Sequence, residues 1–232
     1  MRHGRPIFAL ALLLSCWRLA PTRARAEEAP ESTPAVLATY AIERPGQPSE
    51  QLVLVRTGDR VEHRFAQRGT AELWRRDPRG ELEHVKAYPG DGKSVHYTAG
   101  DLRTIALAPS WDELASLVGA RELRDLKQAG SRRLAGRAAR LLRGTLRGQP
   151  AELAWLDALS LPAYLRLGTG AQRTVLRLVD VRPCTDELCA EYDARALRSI
   201  EFADLGDMEY DPFVRRFLAR EARSHGAHAH AH

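Results

Sequence analysis

Between Val36 and Tyr97 the chain alternates short β-rich runs with turn-forming residues, and this stretch restricts the fold more than any other. The runs are Val36–Ile42, Gln51–Thr57, Val61–Phe65, Ala71–Arg76, Leu82–Tyr88 and Ser94–Tyr97. Gly58-Asp59, Gly69, Asp77-Pro78-Arg79-Gly80 and Pro89-Gly90-Asp91-Gly92-Lys93 lie between them. Strand-length segments this closely spaced leave no room for crossover helices, so they predict an antiparallel meander. Alternation in Val61-Glu62-His63-Arg64-Phe65 sets Val61, His63 and Phe65 on one face and Glu62 and Arg64 on the other. His63 therefore shares an apolar face, where a hydrogen-bonded histidine is the expectation. A metal site of His63, His84 and His96 would need three rings converging on one point, which nothing in their spacing demands.

The formal net charge of +5 looks like a signal for polyanions, but its location removes that reading. Arg2, Arg5, Arg18, Arg23 and Arg25 supply five cations, and residues 1–26 contain no acid. Without them the remainder is neutral, so no global field directs the chain to nucleic acid. The same segment has a positive start, the apolar run Ile7–Leu14, and Ala24-Arg25-Ala26 before Glu27-Glu28. That is the layout of a secretory signal peptide over residues 1–26, and the apolar run is too short to span a bilayer. Leu13-Leu14-Ser15-Cys16 also resembles a lipobox, so lipidation at Cys16 and attachment to a membrane stay open beside plain export to the periplasm. Residues 27–35 read as a polar, Pro-containing leader.

Past Gly100 the pattern changes to helical. Ser110-Trp111-Asp112-Glu113 has the spacing of a capping box, with Leu114, Leu117 and Val118 as one stripe and Gly119 as the stop. A second short helix is expected over Arg121–Gln128. Ser131–Arg140 is basic but lacks interleaved aromatics, which favours the solvated face of a strand over a phosphate or nucleic-acid patch. Strands resume over 138–145, 151–156, 160–167 and 174–181, and a last strand runs from Ser199 to Asp204.

Glu-Leu-Ala-Trp-Leu at 152–156, Leu-Pro-Ala-Tyr-Leu at 161–165 and Val-Leu-Arg-Leu at 175–178 resemble the periplasmic outer-membrane lipoprotein carriers, the LolA/LolB-like group. The resemblance covers roughly residues 36–205. It implies an α+β fold in which a strongly curved antiparallel sheet, an incomplete barrel, is covered by short helices. It also implies a hollow for acyl chains lined by Trp74, Trp111 and Trp155, and a lipid or an acylated protein as partner. The single domain would span 36–223.

Cys184 and Cys189 enclose four residues, and in an exported chain a local disulfide is the default. Closing so small a loop contributes about 2 kcal/mol. Asp211-Pro212 reads as N-cap and first residue of a terminal helix, with Phe213, Val214, Phe217 and Leu218 as its apolar stripe. The end of the chain, 224–232, is His-rich. His225, His228, His230 and His232 suit copper, nickel or zinc, which makes metal handling a second functional class. A protein-interaction module is a third. No nucleophile elbow, phosphate loop or paired metal-ligand motif is present, so the expectation is a non-enzymatic binding protein.

Overall fold

The computed structural model describes residues 33–107, 109–134 and 136–229. The signal-peptide and Cys16 readings, and His230 and His232, lie outside them. Twelve strands form one open sheet in the order β12-β6-β5-β4-β3-β2-β1-β11-β10-β9-β8-β7. The first meander is β1 (Val36–Glu43), β2 (Glu50–Arg56), β3 (Arg60–Phe65), β4 (Thr70–Arg76), β5 (Leu82–Tyr88) and β6 (Lys93–Tyr97). The second is β7 (Lys127–Leu134), β8 (Arg137–Leu146), β9 (Gln149–Leu156), β10 (Leu161–Leu167) and β11 (Thr174–Pro183). They join where β1 pairs antiparallel with β11. The final strand β12 (Arg198–Glu201) adds to β6 in parallel, the single parallel pair among the described strands.

This order dictates where the connections run. The link from β6 to β7 joins opposite halves of the sheet, so it must cross a face. It does so as α1 (Ala99–Thr104), α2 (Trp111–Ser116) and α3 (Ala120–Asp125). Beneath it one core gathers Ala38, Tyr40, Leu54, Val61, Trp74, Leu153, Trp155 and Leu176, with Leu102, Leu114 and Val118 from the helices. The terminal helix α4 (Pro212–Ala229) docks on the same face through Phe213, Val214 and Phe217. Its N-cap is Asp211, whose Oδ1 accepts from the Phe213 amide at 2.7 Å, as the sequence predicts. Leu218 departs from the predicted stripe and is 43% exposed.

The link from β11 to β12 crosses the other face as a strap, clamped by charge. Glu62, fully buried, pairs with Arg60 (3.1 Å) and Arg64 (2.5 Å) and accepts from the Tyr192 amide at 3.3 Å. Arg60 and Arg64 in turn donate to the carbonyls of Cys189 (2.5 Å) and Ala190 (2.9 Å). Tyr192, Ala194 and Leu197 then pack on Ala71, Leu73 and Ala87. The predicted Cys184–Cys189 disulfide fixes the start of this strap, its Cα atoms 5.5 Å apart.

The helical stretch differs from expectation in four respects. Ser110 Oγ does accept from the Glu113 amide at 3.1 Å, but the Glu113 carboxylate pairs with Arg147 at 2.9 Å instead of returning to Ser110. The first of these helices ends at Leu117, held left-handed at φ 63°, and Gly119 opens the next one, where Glu122 Oε2 accepts its amide at 2.9 Å. That second helix stops at Asp125, because residues 127–134 pair with β8 as an edge strand. Tertiary pairing overrides local propensity there. A short capped helix, α1, was also missed; Thr98 and Asp101 form its reciprocal capping box.

Bending of the sheet is pinned by one side chain. Arg56, on β2, is 1% exposed. Its Nε and Nη2 donate to the Pro34 carbonyl at 3.1 and 2.9 Å, and Nη2 also reaches Leu159 O at 2.6 Å. Nη1 donates to Ala115 O at 2.7 Å and Ser160 O at 3.4 Å. Leu159 and Ser160 join β9 to β10, and β10 lies three positions from β2 in the sheet. At about 4.8 Å per strand a flat sheet would hold them roughly 14 Å apart. The contact therefore requires the sheet and its end loop to curl over. Bulges in the β1/β11 and β9/β10 pairings supply local bends. Burial lowers the Arg56 pKa to about 10, offset in part by Tyr40, and the group remains a cation at neutral pH.

Replacing this guanidinium strips buried carbonyls of their donors. Arg56→Leu should lower the unfolding free energy by about 4 kcal/mol, the sum of a few unsatisfied groups at roughly 1–3 kcal/mol each. Denaturant titration checks this; a loss under about 1 kcal/mol would show that the clasp is dispensable.

Candidate ligand-binding groove

The strands of the second meander are apolar on both faces. In β9, Leu153 and Trp155 point into the helix-covered core, while Ala154 and Leu156 belong to a separate cluster with Ala139 on the opposite face. Cross-strand register aligns Leu141, Ala154, Tyr164 and Arg177 in one row over β8 to β11. Ala154 and Ala163 are small, so the lining sinks between the taller Leu141, Leu156 and Tyr164. The β1/β11 register shift leaves Val179 as the extra residue, 65% exposed, on one wall. The result is a groove of about 680 Å³.

One end of this groove is electrically closed. Glu152 pairs with Arg166 at 2.9 Å and Arg143 at 3.6 Å. Arg177 pairs with Glu43 at 3.2 Å and lies 5.0 Å over the Tyr164 ring. Asp180, also in the lining, pairs with Arg182 at 2.7 Å. The lining contains no histidine, cysteine, serine or threonine. A second, smaller groove of about 400 Å³ lies under the strap, between Leu73, Val85, Ala194 and Leu197.

The tryptophans implied by the resemblance all lie on the helix-covered side. Trp74 and Trp155 are 3% and 5% exposed within the main core, and half-buried Trp111 packs against it. The Arg76 guanidinium sits 4.5 Å over the Trp111 ring. The three strand histidines do not converge. His63 donates from Nε2 to the Leu114 carbonyl at 2.9 Å, as a core histidine should. His84 stacks on Trp74 at 3.7 Å and on Tyr97 at 5.2 Å. His96 pairs with Val85, one residue out of step with His84, so it faces the other way and meets Glu201 at 3.1 Å. Among the described residues no cluster of three metal-binding side chains forms. His225 and His228 fall in the last turns of α4.

No family model and no curated protein sequence matches the chain. Solved structures do. PNGF-II is similar at 10% identity and a TM-score of 0.42, over 77% of this chain and 34% of that one. The Pseudomonas aeruginosa MucA/MucB complex is similar at 19% identity and a TM-score of 0.39, over 73% of this chain and 59% of that one. A LolA superfamily protein from Nitrosomonas europaea is similar at 11% identity and a TM-score of 0.28, over 69% and 91%. The group named from sequence is thus among the matched folds. The chain spans about a third of PNGF-II and somewhat over half of the MucB structure. No helix among the described residues is long and apolar enough to cross a membrane.

Sequence reasoning passed over the groove, although a signal for it was present. Ala151-Glu152-Leu153-Ala154-Trp155-Leu156 is too apolar for a strand with one wet face. It passed over Arg56 as well, since nothing marks one arginine among many as buried.

Burial makes His84 an acid-sensitive part of the core. Neither ring nitrogen has a hydrogen-bond partner, and the closest carboxylate, Glu72 Oε2, is 3.9 Å away. Desolvation, then the charge of Lys86, then His63 and His96, push its pKa well below the usual 6.5. An unfolded histidine binds a proton near pH 6.5 while the folded one does not, so stability is present above that pH and lost below it. Between pH 6.5 and 5 the loss should approach about 1.4 kcal/mol per pH unit per such histidine. His84→Phe should preserve the stack and flatten that acid slope by about one proton. An unchanged slope, read from denaturant midpoints against pH, would show that His84 is not the titrating group.

Proposed function

We propose that this chain is a non-enzymatic envelope protein that binds an acyl-bearing ligand, a free lipid or an acylated protein, in the open-face groove of β8 to β11. The single observation that carries this is an apolar, alanine-floored groove of about 680 Å³, inside the roughly 300–1,000 Å³ range of small-molecule sites. The helix-covered face supports the reading less well. Its tryptophans sit in continuous packing, and an acyl chain would enter there only if the helices lifted from the sheet. The groove lining supports binding over catalysis, since its two acids are committed to arginines and it offers no histidine base. Export to the periplasm through residues 1–26 belongs to the same proposal.

Native mass spectrometry of protein purified from the cell envelope tests it. Bound lipid mass is expected on the native chain and should disappear in Leu141→Arg, which fills the groove, with the melting temperature unchanged. Lipid retained by that variant would place the ligand elsewhere.

A second reading is metal capture by the tail. The sequence concentrates four histidines, His225, His228, His230 and His232, in the last eight residues given. Removing residues 224–232 should weaken Cu(II), Ni(II) or Zn(II) binding at least about tenfold, followed by titration calorimetry. Equal affinity in the truncated chain would refute the tail as the site.

A further inference from the structure

The groove is asymmetric in charge, and the asymmetry names the ligand more closely. The stretch 127–156 carries seven cations, Lys127, Arg132, Arg133, Arg137, Arg140, Arg143 and Arg147, against one acid, Glu152. Most of the arginines have assigned work. Arg140 pairs with Asp157 at 2.7 Å, Arg143 with Glu152, and Arg147 with Glu113 and Glu122. Arg133 donates to Gly136 O at 3.0 Å. Arg132 and Arg137 line the groove, are exposed, and have no acidic partner among the described residues.

Their placement follows from register. Arg132 is opposite Ala139, and Leu134 is opposite Arg137. Residues 132 and 134 share a face of β7, residues 137 and 139 share a face of β8, and Ala139 packs in one cluster with the groove residues Ala154 and Leu156. Both arginines therefore stand at the β7–β8 turn end of the groove, one on each strand, beyond the apolar floor. The other end is occupied by the self-neutralised Arg143–Glu152–Arg166 set. An amphiphile lying in this groove meets cations without counterions at one end only.

We infer that the groove selects a ligand with an anionic headgroup, carboxylate or phosphate, bound by Arg132 and Arg137 with its acyl chain over Leu141, Ala154 and Tyr164. This rests on the acyl-binding reading above and adds the headgroup to it. Two guanidinium forks can each meet such an oxyanion bidentately; a neutral headgroup offers no such anion, and a zwitterionic one brings its own cation up against the arginines.

Oleate and oleyl alcohol share one chain and differ in headgroup charge, so their affinities for the full chain separate the two readings. Phosphatidylglycerol against phosphatidylcholine vesicles gives the same comparison for phosphate. The native chain should favour the anionic member of at least one pair by about tenfold. The double variant R132Q/R137Q should erase that preference while keeping its affinity for oleyl alcohol. Preference for oleate assigns a carboxylate, and preference for phosphatidylglycerol a phosphate. Equal binding within both pairs, or a preference that survives R132Q/R137Q, overturns the inference and leaves the groove as an acyl site. Binding of none of the four overturns the groove reading with it. Both arginines are exposed, so the variant keeps the fold, and an unchanged melting temperature verifies this.

Discussion

A buried cation held mainly by backbone carbonyls is the constraint on which this architecture depends. Arg56 sits at the end of β2, and its five donors reach the leader at Pro34, helix α2 at Ala115 and the β9–β10 connection at Leu159 and Ser160. No carboxylate among the described residues neutralises it. Arginine suits this position because its planar fork can serve several acceptors at once and is weakly hydrated for a cation. Each acceptor belongs to a different segment, so a single side chain closes the covered face, orders the first strand and fixes the curl of the sheet. A sheet of twelve strands exceeds the width at which open sheets usually curl, split or flatten, and Arg56 ties this one in its curled form.

Topology then divides the two faces by role. The link from β6 to β7 and helix α4 cover one face, and the strap from β11 to β12 covers part of the other. The strap lies over β3 to β6, held by Glu62, Arg60 and Arg64, with the disulfide at its start. Among the described residues no such cover lies on the outer face of β8 to β11. Its apolar row is therefore left open with a charged boundary, which is the physical basis for placing a ligand there.

The fold was legible to an unusual depth at the first meander and less so past it. All six early strands fall within a residue or two of their sequence limits, because period-two alternation and Gly/Pro/Asp turns agree there. At Lys127 and Gln128 the expected helix gives way to the start of an edge strand for a clear reason, while Ser131–Leu134 is the solvated strand that was expected. Lys-Gln-Ala-Gly-Ser-Arg-Arg-Leu has no alternating apolar face, and its strand character comes only from pairing with β8. The histidines were separable in part: alternation placed His63 inward, but only the β5/β6 register shows that His84 and His96 face opposite ways.

The sequence alone determined antiparallel meanders, a terminal helix and a local disulfide, because those features are written in short-range periodicity and spacing, while the curl of the sheet and its helical cover entered only as what the resemblance implies. Only the tertiary structure decided which residues matter. Whether an arginine is a solvated charge or the clasp of the core, and whether an alanine is filler or the floor of a groove, depends on partners far apart in the chain. Arg56 meets Leu159 across 103 positions. Local sequence carries no record of an encounter at that distance; register and curvature create it.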